Sequence, residues 1–190
     1  MGRMSSKWAW MALILAFSTI IAHAQDEKWS INGGTVAGQP ILGSEDSRKG
    51  WFYSAELERP FSMLNIGRNK GYLNLGAYYM RTTGGGFDNL PIDHINAYGV
   101  IATARYHINF MRGFSTFAEI GWGLQYAEHN SVDLPSLLNS TPILGAGFII
   151  PVSERYDIQI TGRYFHISNA GLVGNNQGQN QIHILAGVRF

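Results

Sequence analysis

The sequence predicts an all-β fold, an eight-stranded antiparallel transmembrane β-barrel, and three observations carry that reading. The chain is charge-poor, with 14% charged residues against 13% aromatic residues and 23 glycines, whereas soluble domains usually carry about 25% charge. Past residue 24 no apolar run approaches the roughly 18 residues that a membrane helix needs. The same region instead divides into segments that alternate apolar and polar residues, separated by turn-rich links, which is the pattern of a membrane barrel.

The first residues read as an export signal. Arg3 and Lys7 precede the largely apolar stretch 8–21, and Ala22-His23-Ala24 supplies the small-x-small cleavage pattern. This predicts a signal peptide over residues 1–24 and a barrel over residues 25–190, a mature length of 190 − 24 = 166 residues. The chain has no cysteine, which excludes both a disulfide-stapled scaffold and a lipid-modified N-terminus. A net charge of +1 gives no reason to expect a nucleic-acid partner.

Eight strands are expected in order. The first, Trp29 to Val36, is the least regular because Gly33 and Gly34 interrupt it. Trp51 to Glu58 sets Trp51, Tyr53, Ala55 and Leu57 against Phe52, Ser54, Glu56 and Glu58. Tyr72 to Arg81 and Asn96 to Ile108 alternate in the same way, the latter with Tyr98, Val100, Ala102, Ala104 and Tyr106 on one side. Phe114 to Tyr126, Pro142 to Val152 and Tyr156 to Ser168 follow. The last, Asn180 to Phe190, places Ile182, Ile184, Ala186, Val188 and Phe190 together. Successive side chains of a strand point to opposite faces, so each such set forms one surface.

The opposite faces carry Glu56, Glu58, Arg105, His107, Glu119 and Arg163 among many glycines, as expected of a narrow polar interior. On the apolar faces Tyr98 and Tyr106, and likewise Tyr156 and Tyr164, are eight residues apart. At about 3.3 Å per residue and a tilt near 40° that spans roughly 20 Å, close to the separation of two aromatic girdles. The links over residues 37–50, 82–95, 127–141 and 169–179 are long, those over 109–113 and 152–155 short. Long loops outside and short turns inside place both ends of the barrel in the periplasm.

His166 and Ser168 share the parity of Ile158, Ile160 and Tyr164, and Asn180 that of Ile182 and Ile184. If both strands continue outward, all three polar residues face lipid at the outer edge of the membrane. If Tyr156 or Ile158 lies opposite Phe190, then Asn180 lies opposite His166 or Ser168. If instead the strands stop at Tyr164 and Ile182, the three are solvated loop residues. A serine hydroxyl needs an adjacent base to become a nucleophile, histidine is the usual one, and a third group must fix its tautomer. Backbone N–H groups in the turn Asn169-Ala170-Gly171 would suit an oxyanion. At that depth such a site meets ester bonds of the outer leaflet, which is largely lipopolysaccharide.

The string His166-Ile167-Ser168-Asn169-Ala170-Gly171-Leu172, followed by Asn176, Gly178, Asn180 and the ending Arg189-Phe190, resembles the PagL-type lipid A deacylases. Gly145-Ala146-Gly147-Phe148 is a weaker echo. The resemblance implies an eight-stranded outer-membrane barrel that hydrolyses the ester-linked 3-hydroxyacyl chain at position 3 of lipid A. It implies Ser168 as nucleophile, His166 as general base and the Asn169 and Gly171 N–H groups as oxyanion hole, with no cofactor and no metal. The family carries a glutamate where this chain has Asn180, a residue that can fix a histidine tautomer but cannot neutralise an imidazolium. Glu128 and Asp133, in a nearby loop, are alternative acids.

A non-catalytic structural or adhesive barrel is the competing reading, and an acyltransferase or phospholipase on the same scaffold a third. Asp93-His94 and Glu128-His129, expected in loops, lack a third ligand at metal-binding spacing. His107 and His183 fall on the inward face as hydrogen-bonded structural residues.

Overall fold

The computed structural model describes residues 27–39, 48–67, 70–84, 93–111, 114–131, 134–172 and 178–190. The expected signal peptide lies outside the described residues.

Nine strand segments run in the order β1 (Lys28–Gly38), β2 (Lys49–Pro60), β3 (Gly71–Gly84), β4 (Asp93–Met111), β5 (Phe114–Ala127), β6 (Leu138–Ser140), β7 (Ile143–Pro151), β8 (Asp157–Ile167) and β9 (Gln179–Arg189). Each pairs antiparallel with its chain neighbour, β1 pairs with β9, and the sheet closes on itself. Segments β6 and β7 are one barrel strand. Both pair with β5 in a single register, Ser140 opposite Leu124 and Ile143 opposite Gly121. Thr141 continues the ladder by exchanging hydrogen bonds with Gly123 at 2.9 and 3.0 Å, and only Pro142, which has no N–H to donate, interrupts it. The result is the predicted eight-stranded barrel.

Each expected strand is present, and several run further. The irregular first strand extends over Lys28–Gly38 despite Gly33 and Gly34, because its neighbours β2 and β9 supply full ladders on both sides. Strand β4 begins at Asp93, so Asp93 and His94 open a strand rather than sit in a loop. The His94 Nδ1 lies 2.8 Å from the Thr83 hydroxyl across the β3–β4 pair.

The alternation sorts the two faces as the sequence requires. Trp51, Tyr53, Trp122, Leu124, Leu144, Ile184 and Val188 are exposed on the outside. Aromatic pairs mark both rims: Tyr79 with Tyr98, ring centroids 5.3 Å apart, at the end bearing the long loops, and Phe114 with Phe148, at 5.5 Å, at the other.

The interior is solid and divided by chemistry. Towards the short-turn end, Arg105, Arg163 and Arg189 interlock with four carboxylates. Arg163 bonds Glu56 at 2.6 Å and Glu119 at 2.5 Å. Arg105 bonds Glu119 at 2.8 Å and Glu58 at 2.9 Å, and Arg189 bridges Glu58 and Asp157. His107 Nε2 lies 3.0 Å from Glu58. Towards the long-loop end the filling turns apolar: Phe52, Tyr78, Met80, Phe165, Ile167 and Leu185 pack with Leu134 from the loop after β5. His183 is fully buried there, its ring stacked on Phe165 at 4.2 Å and its Nε2 3.1 Å from Gln181 Oε1. Among the described residues, these side chains fill the lumen.

Candidate functional site

Strands β8 and β9 continue beyond Tyr164 and Ile182, which removes the reading of three solvated loop residues. Tyr164 pairs with Ile182, and His166 pairs directly with Asn180. This register puts Tyr156 beside Phe190 at the other rim, ring centroids 6.5 Å apart. Beyond Ile167 the ladder persists through Ser168, which exchanges backbone hydrogen bonds with Ser140 at 2.7 and 3.0 Å and receives a third from the Ser140 hydroxyl at 3.0 Å. His166 and Ser168 therefore share the outward face of a strand held on both sides.

The cross-strand pair is joined by a side-chain hydrogen bond. His166 Nδ1 lies 2.8 Å from Asn180 Oδ1. With the proton on Nδ1 the amide oxygen accepts it, and Nε2 is left unprotonated, the tautomer a general base requires. Tyr164, two residues before His166 on the same face, donates its phenol O–H to the same Asn180 oxygen. A hydroxyl donor there holds the amide with its oxygen, not its nitrogen, towards the imidazole. Tyr164 was not singled out from the sequence, although its parity and spacing carry that information.

Asn180 departs from the expected exposed, lipid-facing position. It has outward parity but no accessible surface, because the Tyr164 and His166 side chains converge on its amide and its carbonyl accepts the Gln39 N–H at 2.7 Å. Asn180 is thus a buried hydrogen-bonding centre between the two strands.

His166 and Ser168 are brought to one face. Among the described residues no hydrogen bond joins the Ser168 hydroxyl to the imidazole. Catalytic hydrogen bonds of unliganded enzymes commonly close only when substrate binds.

The turn after Ser168 is tight and left-handed, and one of its N–H donors is already engaged. Ala170 and Gly171 have φ of 57° and 75°, and Leu172 N–H reaches Asn169 O at 3.2 Å, as in a type I′ turn. Alanine at positive φ costs about 1 kcal/mol. The Gly171 N–H donates to the Asn169 side-chain oxygen, 2.9 Å away. Gly178 closes the site from the other strand: with φ of 72°, a β-carbon on it would stand 3.0 Å from His166 Cε1.

Of the two alternative acids, Glu128 is among the described residues. Glu128 accepts hydrogen bonds from Asn96 at 2.7 Å and Tyr98 at 3.3 Å, on β4, which β5 and β7 separate from β8. Asp133 and Asn176 lie outside the described residues. Among the described residues no group of three potential ligands could hold a metal ion.

Comparison with known proteins now adds to this geometry. The profile of the family described as lipid A 3-O-deacylase (PagL) matches residues 49–189. Among solved structures, the outer-membrane enzyme PagL matches with 19% identity and a TM-score of 0.59, over 85% of this chain and 97% of that one. Neisserial surface protein A matches with 18% identity and a TM-score of 0.52, over 86% and 95%. OprG from Pseudomonas aeruginosa matches with 12% identity and a TM-score of 0.51, over 87% and 96%. At these identities the structural likenesses bear on the fold, an outer-membrane barrel. No curated protein matches the chain.

Proposed function

The chain belongs to the lipid A 3-O-deacylase (PagL) family, and from that premise we propose that it is a serine esterase cleaving the 3-hydroxyacyl chain at position 3 of lipid A. Its place is the outer membrane, with the site turned to the outer leaflet after removal of residues 1–24. The observation that carries the mechanism is the cross-strand pair of His166 and Asn180, 2.8 Å apart on the outside of a barrel whose interior is closed.

His166 Nε2 takes the Ser168 proton as the hydroxyl oxygen attacks the acyl carbonyl. The tetrahedral oxyanion is received by the Asn169 and Gly171 N–H groups as the Asn169 side chain swings away. Collapse breaks the ester bond, and the sugar oxygen leaves with the proton from the imidazolium. Water, deprotonated by His166, then releases the 3-hydroxy fatty acid and restores Ser168. Asn180 acts as a positioning residue. It holds the tautomer without supplying charge, so stabilisation of the imidazolium falls below that of a carboxylate.

Lipid A from cells expressing the chain is expected to be lighter by one hydroxyacyl group in mass spectra. Ser168→Ala, in correctly inserted protein, restores the parent mass. An unchanged spectrum with the unsubstituted chain rejects the reading in favour of a non-catalytic barrel. Transfer of the acyl group to another lipid, or its release from a glycerophospholipid, identifies an acyltransferase or a phospholipase instead.

A further inference from the structure

Beside Ser168 the outer wall carries a hydroxyl that the ester chemistry does not use. Leu138, Ser140, Pro142 and Leu144 share the outward parity of β6 and β7, since Asn139, Thr141 and Ile143 between them are buried. Leu138 and Leu144 are exposed, and of the four only Ser140 has a polar side chain. Ser140 lies directly opposite Ser168. The two residues exchange backbone hydrogen bonds, and the Ser140 hydroxyl donates to the Ser168 carbonyl at 3.0 Å. That bond uses the one proton of the hydroxyl, and its oxygen keeps lone pairs that can accept.

The other side of Ser168 is taken by the base. Continued one step past Ile167 and Gln179, the β8–β9 register brings Gly178 beside Ser168. The His166 ring leans over that glycine: a β-carbon there would stand 3.0 Å from Cε1 and 3.4 Å from Nε2. An acyl group attacked by Ser168 therefore has the imidazole on its β9 side and the Ser140 hydroxyl on its β6 side.

The acyl chain of the proposed substrate carries a hydroxyl two carbons beyond the ester carbonyl. Drawn against the wall of the barrel, that hydroxyl loses water and needs a partner. Neighbouring strands are about 4.8 Å apart. That is within the reach of a hydroxyl two carbons from the attacked carbonyl plus one hydrogen bond of about 2.8 Å. We infer that Ser140 is a specificity-determining residue, its hydroxyl oxygen accepting the O–H of the 3-hydroxyacyl chain as the ester is presented to Ser168. The inference rests on the proposed deacylation and adds the group that tells a 3-hydroxyacyl ester from a plain one. A site built to bond a hydroxyl rejects the analogue lacking it more strongly than an apolar pocket can reject a neighbour in size.

The test compares esters that differ only at that hydroxyl. Full-length protein in detergent is given synthetic glucosamine phosphates esterified at position 3 with tetradecanoate or with either enantiomer of 3-hydroxytetradecanoate. The parent chain is expected to show a kcat/KM about ten-fold higher for one hydroxylated enantiomer than for the other two esters. Ser140→Ala, checked for folding by circular dichroism, brings that ratio close to unity, and Ser140→Thr, which keeps the hydroxyl, restores it. A merely structural role of Ser140 would slow all three esters and leave the ratio where it was. The same preference is measured as affinity in Ser168→Ala protein, with and without Ser140→Ala. Equal handling of the three esters by the parent chain, or a preference that survives Ser140→Ala, overturns the inference. Equal slowing of all three by Ser140→Ala overturns it as well. A Ser140-dependent preference in binding, with no ester hydrolysed by the parent chain, leaves the inference standing and rejects the hydrolytic reading. Neither hydrolysis nor preference rejects both.

Discussion

At the scale of single residues, the site turns on Asn180. Its oxygen receives both the His166 N–H and the Tyr164 O–H, so the position already offers two donors to an anion. Asn180→Glu is therefore expected to raise kcat, by on the order of ten-fold or more, because a carboxylate stabilises the imidazolium that amide oxygen only orients. A fall in rate with folding intact would show that position 180 does not face the reacting imidazole. Tyr164→Phe removes the donor that selects the amide oxygen. It should lower kcat several-fold at unchanged KM in the parent, and the loss should shrink in the Asn180→Glu background, where both carboxyl oxygens can accept.

At the scale of elements, the site is assembled by two antiparallel strands and the turn between them. The β8–β9 register sets His166 opposite Asn180, and the Ser140 bonds hold Ser168 in line beyond the formal end of β8. Gly178, just before β9, is where that assembly has least tolerance. Its positive φ disfavours any side chain, and a methyl group would press on the His166 ring. Gly178→Ala is predicted to cost about 1 kcal/mol in stability and to reduce kcat by at least ten-fold, measured by denaturant melting and by deacylation of detergent-solubilised lipid A. Wild-type turnover by the variant would show that the imidazole does not depend on this contact. The His-x-Ser string and its shared parity could be read from the chain. The Gly178 contact and the burial of Asn180 could not, because both depend on how far β9 slides against β8.

At the scale of the molecule, the barrel is a scaffold rather than a channel. Arg105 and Arg163 are buried with Glu56 and Glu119 as direct partners. Removing one member leaves charge uncompensated, at a cost of about 3–5 kcal/mol. Glu56→Gln should accordingly lower the urea midpoint of unfolding substantially while leaving kcat of the folded fraction near the parent value, as the network lies inside and the site outside. The same plug predicts no porin-like conductance in planar bilayers. A stable open conductance would contradict the packed interior.

The sequence by itself determined the barrel, its eight strands, the residues of each face and the shared parity of His166 and Ser168, while the continuation of β8 that aims them outward came from the structure. The former are properties of alternation, and a period of two assigns every side chain to a face without reference to any partner. It also carried the family, through a contiguous string. Only the tertiary structure decided which residues meet: His166 with Asn180 across the strands, Tyr164 joining them, and Asn169 turned onto the Gly171 N–H. The physical reason is that register, set by ladders and turns together, is a property of pairs of strands, and no single segment contains it.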